Sequence, residues 1–172
     1  MTFIDPNQIL NQLGLQKNMV AADFGSGSGG WTIPLASRLE QGKVFAVDIQ
    51  EDVLSALMGK VKLDGLFNVK KILANAEKGV PEINGFSCDW VLMTNLLFQI
   101  DDRISVFKEA NRVLKQGGKV LVVDWKLESS LGPKDGKISL DEIKNIAQET
   151  GFQLEKEIIA GDYHYALVFT KA

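Results

Sequence analysis

The sequence predicts an α/β fold, a seven-stranded and mostly parallel sheet with helices on both faces and a C-terminal antiparallel β-hairpin. Three observations predict it. Short apolar runs alternate with stripes of helical period from one end to the other. A glycine-rich turn directly follows the first apolar run. Gly161-Asp162 leaves too little chain between the last two runs for a helical crossover, so those two strands must pair antiparallel.

The strands are predicted at Met19 to Phe24, Lys43 to Asp48, Val69 to Leu73, Trp90 to Thr94, Lys119 to Asp124, Gln153 to Ile159 and Tyr165 to Thr170. Between them, Val53, Leu54, Leu57 and Val61 recur at helical spacing, as do Ile104, Phe107 and Leu114, and then Leu140, Ile143, Ile146 and Ala147. Ser139 with Glu142 three residues on is a capping-box signature. Gly117-Gly118 is read as a helix stop before the fifth strand, and the loop Glu128 to Lys137 as the mobile segment.

The 172 residues suit one domain. With 45% hydrophobic and 24% charged residues the chain has the composition of a folded globular protein. A net charge of −3 gives the surface no general affinity for a phosphate backbone; Lys60, Lys62, Lys70 and Lys71 are either a local basic patch or a solvated helix face. One Cys88 and one His164 are too few soft ligands for an intrachain zinc site, so no metal is expected. The start lacks a charged-then-apolar leader and no apolar run reaches membrane-spanning length, which reads as a cytoplasmic protein.

The chemistry concentrates in Asp23-Phe24-Gly25-Ser26-Gly27-Ser28-Gly29-Gly30-Trp31. A turn of this composition after the first strand of an open α/β sheet lies where such sheets bind ligands, and amides at the start of the next helix are free to donate. Asp48 ends the second strand nineteen residues beyond Gly29, where a carboxylate can accept ribose hydroxyls. Gly25, Gly27 and Gly30 fit the G-x-G-x-x-G dinucleotide fingerprint; Asp23 with Gly25, Gly27 and Gly29 fits a D-x-G-x-G-x-G run, whose negative charge favours a cationic ligand over a pyrophosphate. A turn that binds nothing is the third reading.

These residues, together with Asn75-Ala76-Glu77, Cys88 to Asn95 and Leu114 to Lys119, resemble the class I S-adenosylmethionine (SAM) dependent methyltransferases, in particular the ubiquinone and menaquinone biosynthesis branch. The resemblance implies a Rossmann-like sheet in a single methyltransferase domain over residues 1–172, with SAM as cofactor. It places the methionine part of SAM on the turn of Gly25, Ser26, Gly27 and Gly29 above Asp23, the ribose on Asp48, adenine against Ile49, and the adenine edge on Asn75 and Ala76. Asn75 stands where this branch usually has an aspartate, and its side-chain oxygen would accept from the exocyclic amine. Thr94 and Asn95 would lie near the methionyl amine, and Trp31 either packs in the core or places its ring beside the sulfonium.

Methyl transfer needs alignment and exclusion of water, and a base only where the nucleophile arrives protonated. His164, which the hairpin should bring to the ligand edge between Tyr163 and Tyr165, is the candidate base, with Tyr163 beside it. The acceptor is expected to be a small molecule, roofed by Phe3 to Pro6 and the Glu128 to Lys137 loop and lined by Asp124-Trp125-Lys126. Asn95-Leu96-Leu97-Phe98 is unlike the Asn-Pro-Pro-Tyr run of amino-group methylation, which disfavours DNA, RNA and glutamine-amide acceptors. A protein or RNA methyltransferase, a non-catalytic SAM-binding protein and an NAD-binding oxidoreductase remain as alternatives.

Overall fold

A computed structural model describes residues 1–172. The strands are β1 (Val20–Phe24), β2 (Lys43–Asp48), β3 (Val69–Leu73), β4 (Cys88–Thr94), β5 (Leu114–Trp125), β6 (Phe152–Ala160) and β7 (His164–Lys171). They form one sheet in the order β3-β2-β1-β4-β5-β7-β6. The five from β3 to β5 run parallel, and β7 is antiparallel to both β5 and β6. The chain winds outward from β1 to β2 and β3, then returns to place β4 on its other side. That reversal opens a crevice at the carboxyl ends of β1 and β4.

Two apolar layers hold the sheet. Helices α1 (Pro6–Leu10), α2 (Thr32–Arg38) and α3 (Glu51–Leu63) cover one face, where Leu10, Leu35 and Ala36 meet Ala21, Val44 and Val123, and Leu54 and Leu57 meet Ala46. Helices α4 (Arg103–Val113) and α5 (Leu140–Glu149) cover the other, where Phe107, Ala110 and Ile143 meet Val91, Val122 and Phe169. The central strands β1 and β4 are buried on both faces, which is why they read as unbroken apolar runs.

All seven predicted strands are present, with ends moved by one or two residues except at β5, which starts five residues earlier, at Leu114. Two expectations are corrected. Leu114 does not belong to the α4 stripe: the helix ends at Val113, Leu114 is already extended, and the buried stripe is Val106, Phe107, Ala110 and Val113. Gly117-Gly118 is accordingly not a helix stop. The pair lies inside β5 where the register breaks, since Cys88 opposes Leu114 while Trp90 opposes Lys119. Gly117 takes φ +72°, and a Cβ on Gly118 would sit 2.9 Å from the Lys115 carbonyl oxygen.

The Glu128 to Lys137 loop is tied down at several points. Gly132 lies against the Trp125 ring, Gly136 against the Phe98 carbonyl, and Lys137 Nζ donates to the Ser129 carbonyl at 2.7 Å. The amino-terminal strap is joined to the β6–β7 turn by Thr2 N to Asp162 Oδ2 (2.8 Å) and by Asp162 N to Thr2 O (3.0 Å). At α5, Ser139 Oγ accepts from Glu142 N at 3.1 Å, while the Glu142 carboxylate turns to Arg103 instead of closing the box. Ser139→Ala is expected to cost about 1 kcal/mol in urea unfolding, the usual worth of such a cap, with the far-ultraviolet spectrum unchanged.

Candidate active site

The β1–α2 turn is shaped by its glycines. Gly25, Gly27 and Gly29 take φ of +73°, +53° and +98°, whereas Gly30 does not need the left-handed region. The backbone requirement therefore falls on the D-x-G-x-G-x-G positions and not on the third glycine of the dinucleotide fingerprint. Four amides of the turn are committed as well. Gly25 N and Ser26 N both donate to the Val47 carbonyl (2.8 and 3.0 Å), Gly27 N donates to Asp48 Oδ2 (2.8 Å), and Gly29 N donates to Ser26 O (3.2 Å). The amides at the start of α2 differ: Ser28 N, Gly30 N, Trp31 N and Thr32 N have no acceptor within the protein and are free to donate to a ligand, as the sequence suggested.

Beneath the turn lies a buried negative charge. Asp23 has no exposed surface; Oδ2 accepts from Thr32 Oγ1 at 2.7 Å, and Oδ1 has no partner. Burial pushes its pKa up to about 7, against the Thr32 hydrogen bond that pulls it down. A carboxylate in this state is completed by a cation or by a proton.

Beside the turn, a cleft of about 380 Å³ opens at the carboxyl edge of the sheet. Gly25 and Gly27 border it, Asp48, Ile49, Asn75 and Ala76 line one side, and Thr94 and Asn95 lie across from them. Ile49 is 65% exposed, an apolar side chain open to a flat partner. Asp48 accepts from Gly27 N through Oδ2 and from Gln50 N through Oδ1 (3.1 Å), and each oxygen retains a lone pair for a further donor. Asn75 Oδ1 caps the 3-10 turn Ala76–Lys78 by accepting from Glu77 N at 2.9 Å, which leaves it one lone pair and leaves the amide NH2 free as a donor.

Other predicted site residues lie elsewhere. Gly29 faces α3, where a Cβ would strike Leu57, so it serves helix packing. Trp31 is buried among Ile9, Leu10 and Leu35 and does not line the cleft; the packing reading of this residue is the one its surroundings support. Ser26 is buried beside the turn with its hydroxyl unpartnered, outside the cleft wall. Of the four lysines of the suggested basic patch, Lys60 donates to Ser28 O and Lys71 pairs with Glu51.

His164 opens β7 opposite Trp125, at the same edge of the sheet as the cleft but outside its walls. It is 3% exposed, its ring lies 4.0 Å from that of Trp125, and neither ring nitrogen has a partner. Burial and the charge of Lys126 lower its pKa, which keeps the imidazole neutral. Tyr163 is buried next to it, under the Phe3 ring at 5.4 Å. Sequence reasoning missed Leu96, Gln99 and Ile100, which form the β4-side wall. Asp124, read from the sequence as lining an acceptor pocket, is fully buried and accepts from the Leu97 and Phe98 amides between these residues.

An α/β sheet with this strand order, a glycine turn over a buried aspartate, and a second carboxylate at the end of β2 define a nucleoside-binding enzyme domain of the methyltransferase class. Residues 21–118 match the family model described as "Methyltransferase domain", and the chain belongs to the class I SAM-dependent methyltransferases. It is 37% identical over 111 residues to a demethylmenaquinone methyltransferase of Geobacillus stearothermophilus, covering 64% of this chain and 47% of that protein. It is 34% identical over 118 residues to the Staphylococcus aureus protein of the same name, covering 68% and 47%. The chain thus spans about half the length of the curated relatives it matches. A SAM-dependent methyltransferase from Aquifex aeolicus superposes with a TM-score of 0.90 at 26% identity, covering 99% of this chain and 91% of that one. The cyclase SpnF shares the fold with a TM-score of 0.83 at 12% identity, so the fold by itself does not determine the reaction.

The Asp23 carboxyl gives a measurable signature. Its folded pKa of about 7 lies above the unfolded value near 3.8, so the folded state holds the proton more tightly and loses stability as pH rises from about 4 through 7. Asp23→Asn removes that loss and can still accept from Thr32. In urea unfolding its stability relative to wild type should climb across pH 4 to 7 by about 1 to 4 kcal/mol, at about 1.36 kcal/mol per pKa unit, and level off above. A difference independent of pH would contradict the buried, unpaired carboxylate.

Proposed function

We propose that the protein transfers a methyl group from SAM to a small-molecule acceptor, with SAM seated in the cleft beside the glycine turn. The observation that carries this reading is the unpartnered oxygen of Asp23 beneath the glycine turn. Such a site suits a ligand that carries a positive charge. The other residues present fit SAM as well: Asp48 has acceptor capacity for ribose hydroxyls, Ile49 offers an apolar face to adenine, and the Asn75 amide can donate to a ring nitrogen of that base. Asn95 Oδ1, buried and unpartnered on the β4 side, is a second acceptor for an ammonium group.

When bound, SAM supplies a methyl group made electrophilic by the sulfonium. The protein's part is to hold the reactants and exclude water, which can be worth about 7 to 11 kcal/mol in well-aligned cases. His164 is proposed as the base for an acceptor that arrives protonated, since its imidazole is kept neutral and both nitrogens are free to bond. The acceptor is proposed to be a small molecule because the relatives that match are named for methylation of demethylmenaquinone. Binding of SAM without methyl transfer is the second reading, favoured by the burial of His164 outside the cleft.

Thermal unfolding with S-adenosylhomocysteine, SAM and NAD tests the cofactor. At about one hundred times its dissociation constant a ligand of the native state adds about 2.7 kcal/mol, so both nucleosides should raise the Tm and NAD should not. Asp48→Ala should remove most of that rise. Incubation with methyl-labelled SAM and either demethylmenaquinone or fractionated extract should move label into a small molecule; label in RNA or protein would reassign the acceptor, and no label would favour the binding reading. With the acceptor in hand, His164→Gln should lower turnover about 100- to 10,000-fold while leaving nucleoside affinity unchanged, and full activity would dismiss it as the base.

A further inference from the structure

The β4 side of the cleft is built on a segment that does not support itself. Asn95 takes φ +50°, outside the conformations most residues adopt, and the 3-10 turn Leu97–Gln99 that follows has no side-chain cap of its own. Both ends of the Leu97 residue are instead gripped from outside. Asp124, fully buried at the end of β5, accepts from Leu97 N (2.9 Å) and Phe98 N (3.4 Å) through Oδ2, and from Trp125 N (2.8 Å) through Oδ1. Arg103, the first residue of α4, donates from Nε to the Leu97 carbonyl at 2.9 Å and from a terminal nitrogen to the Gly136 carbonyl at 3.1 Å. Leu96, just before this clamp, lies over the glycine turn: a Cβ on Gly25 would be 2.7 Å from its Cδ1. Leu96, Gln99 and Ile100 then form the cleft wall.

The geometry points to Asp124 as a positioning residue for cofactor binding, which holds the turn after β4 so that Leu96, Gln99 and Ile100 stand against the glycine turn at the width the nucleoside requires. The inference rests on the SAM reading of the cleft and adds to it a residue that lines no part of that cleft. A fully buried carboxylate is an expensive way to fill space, and an apolar side chain of similar size would do so at lower cost. The charge is spent on three backbone N–H groups, two of them in the turn between the wall residues Leu96 and Gln99. Asp23 and Asp124 therefore differ: Asp23 faces the α1–α3 side of the sheet with one oxygen unpartnered, while Asp124 faces the α4–α5 side with both oxygens bonded to the backbone.

Calorimetry with S-adenosylhomocysteine, paired with amide hydrogen exchange, tests this on the full chain. Asp124→Ala should weaken binding by about tenfold or more and speed exchange at Leu97 and Phe98, while the Gly25 and Gly27 amides keep their protection. Asp124→Asn retains an acceptor for Leu97 N and should restore the affinity to within about threefold of wild type, a rescue that mere filling of volume would not give. Should Asp124→Ala fail to fold, Arg103→Gln, which releases the Leu97 carbonyl from the more exposed side, should weaken binding in the same direction. Unchanged affinity in Asp124→Ala, or in Arg103→Gln where the alanine variant does not fold, overturns the proposal and leaves the cofactor reading intact. A wild-type protein that does not bind the nucleoside overturns the cofactor reading, and this proposal with it.

Discussion

The site depends on a carboxylate that the fold leaves incomplete. Asp23 sits in the central strand, sealed by α2 on its own face, with one oxygen on Thr32 and nothing on the other. Leaving a buried acceptor unpaired costs about 1–3 kcal/mol, more if charged, and a small domain tolerates that only where a ligand or a proton completes the group. The turn above is constrained in the same direction. Its left-handed glycines let the backbone pass over Asp23, and Val47 and Asp48 hold the Gly25, Ser26 and Gly27 amides, so the turn is fixed over a buried negative charge.

The same pair of strands organises the rest of the cleft. Asp48, at the end of β2, fixes the turn through Gly27 and presents the second carboxylate, so one residue both builds the pocket and lines it. Across the crevice the wall is built by a different device. Asp124 and Arg103 clamp a strained segment that local preference would not hold, from elements that follow it in the chain. Local pattern governs the β1–β2 half of the site and tertiary contact governs the β4 half.

That division explains what could be read from the sequence. The parallel sheet was legible because Ala21, Ala22, Phe24, Val91, Leu92 and Met93 are apolar on both faces, as a doubly covered strand requires. The hairpin was legible from the shortness of Gly161-Asp162 alone. The glycine turn and Asp48 were legible because their spacing is a local property of a β-turn-α-β unit. What was not legible depends on contacts between distant segments: the register break that places Gly117-Gly118 inside β5, the packing of Gly29 on Leu57, the capture of the Asn75 oxygen by Glu77, and the Leu96 to Ile100 wall. Trp31 shows the limit of motif reasoning, because adjacency in sequence to the binding turn did not place its ring at the cleft.

The most direct test of the central claim is the proton balance of nucleoside binding, measured by calorimetry near pH 7 in buffers of different ionisation enthalpy. Asp23 is about half protonated there, so a cationic ligand that completes its free oxygen should drive a proton off into the buffer. Proton release by the wild-type chain on binding SAM, abolished in Asp23→Asn, is the predicted result. Binding with no proton release, or with net uptake, would contradict the role assigned to this carboxylate.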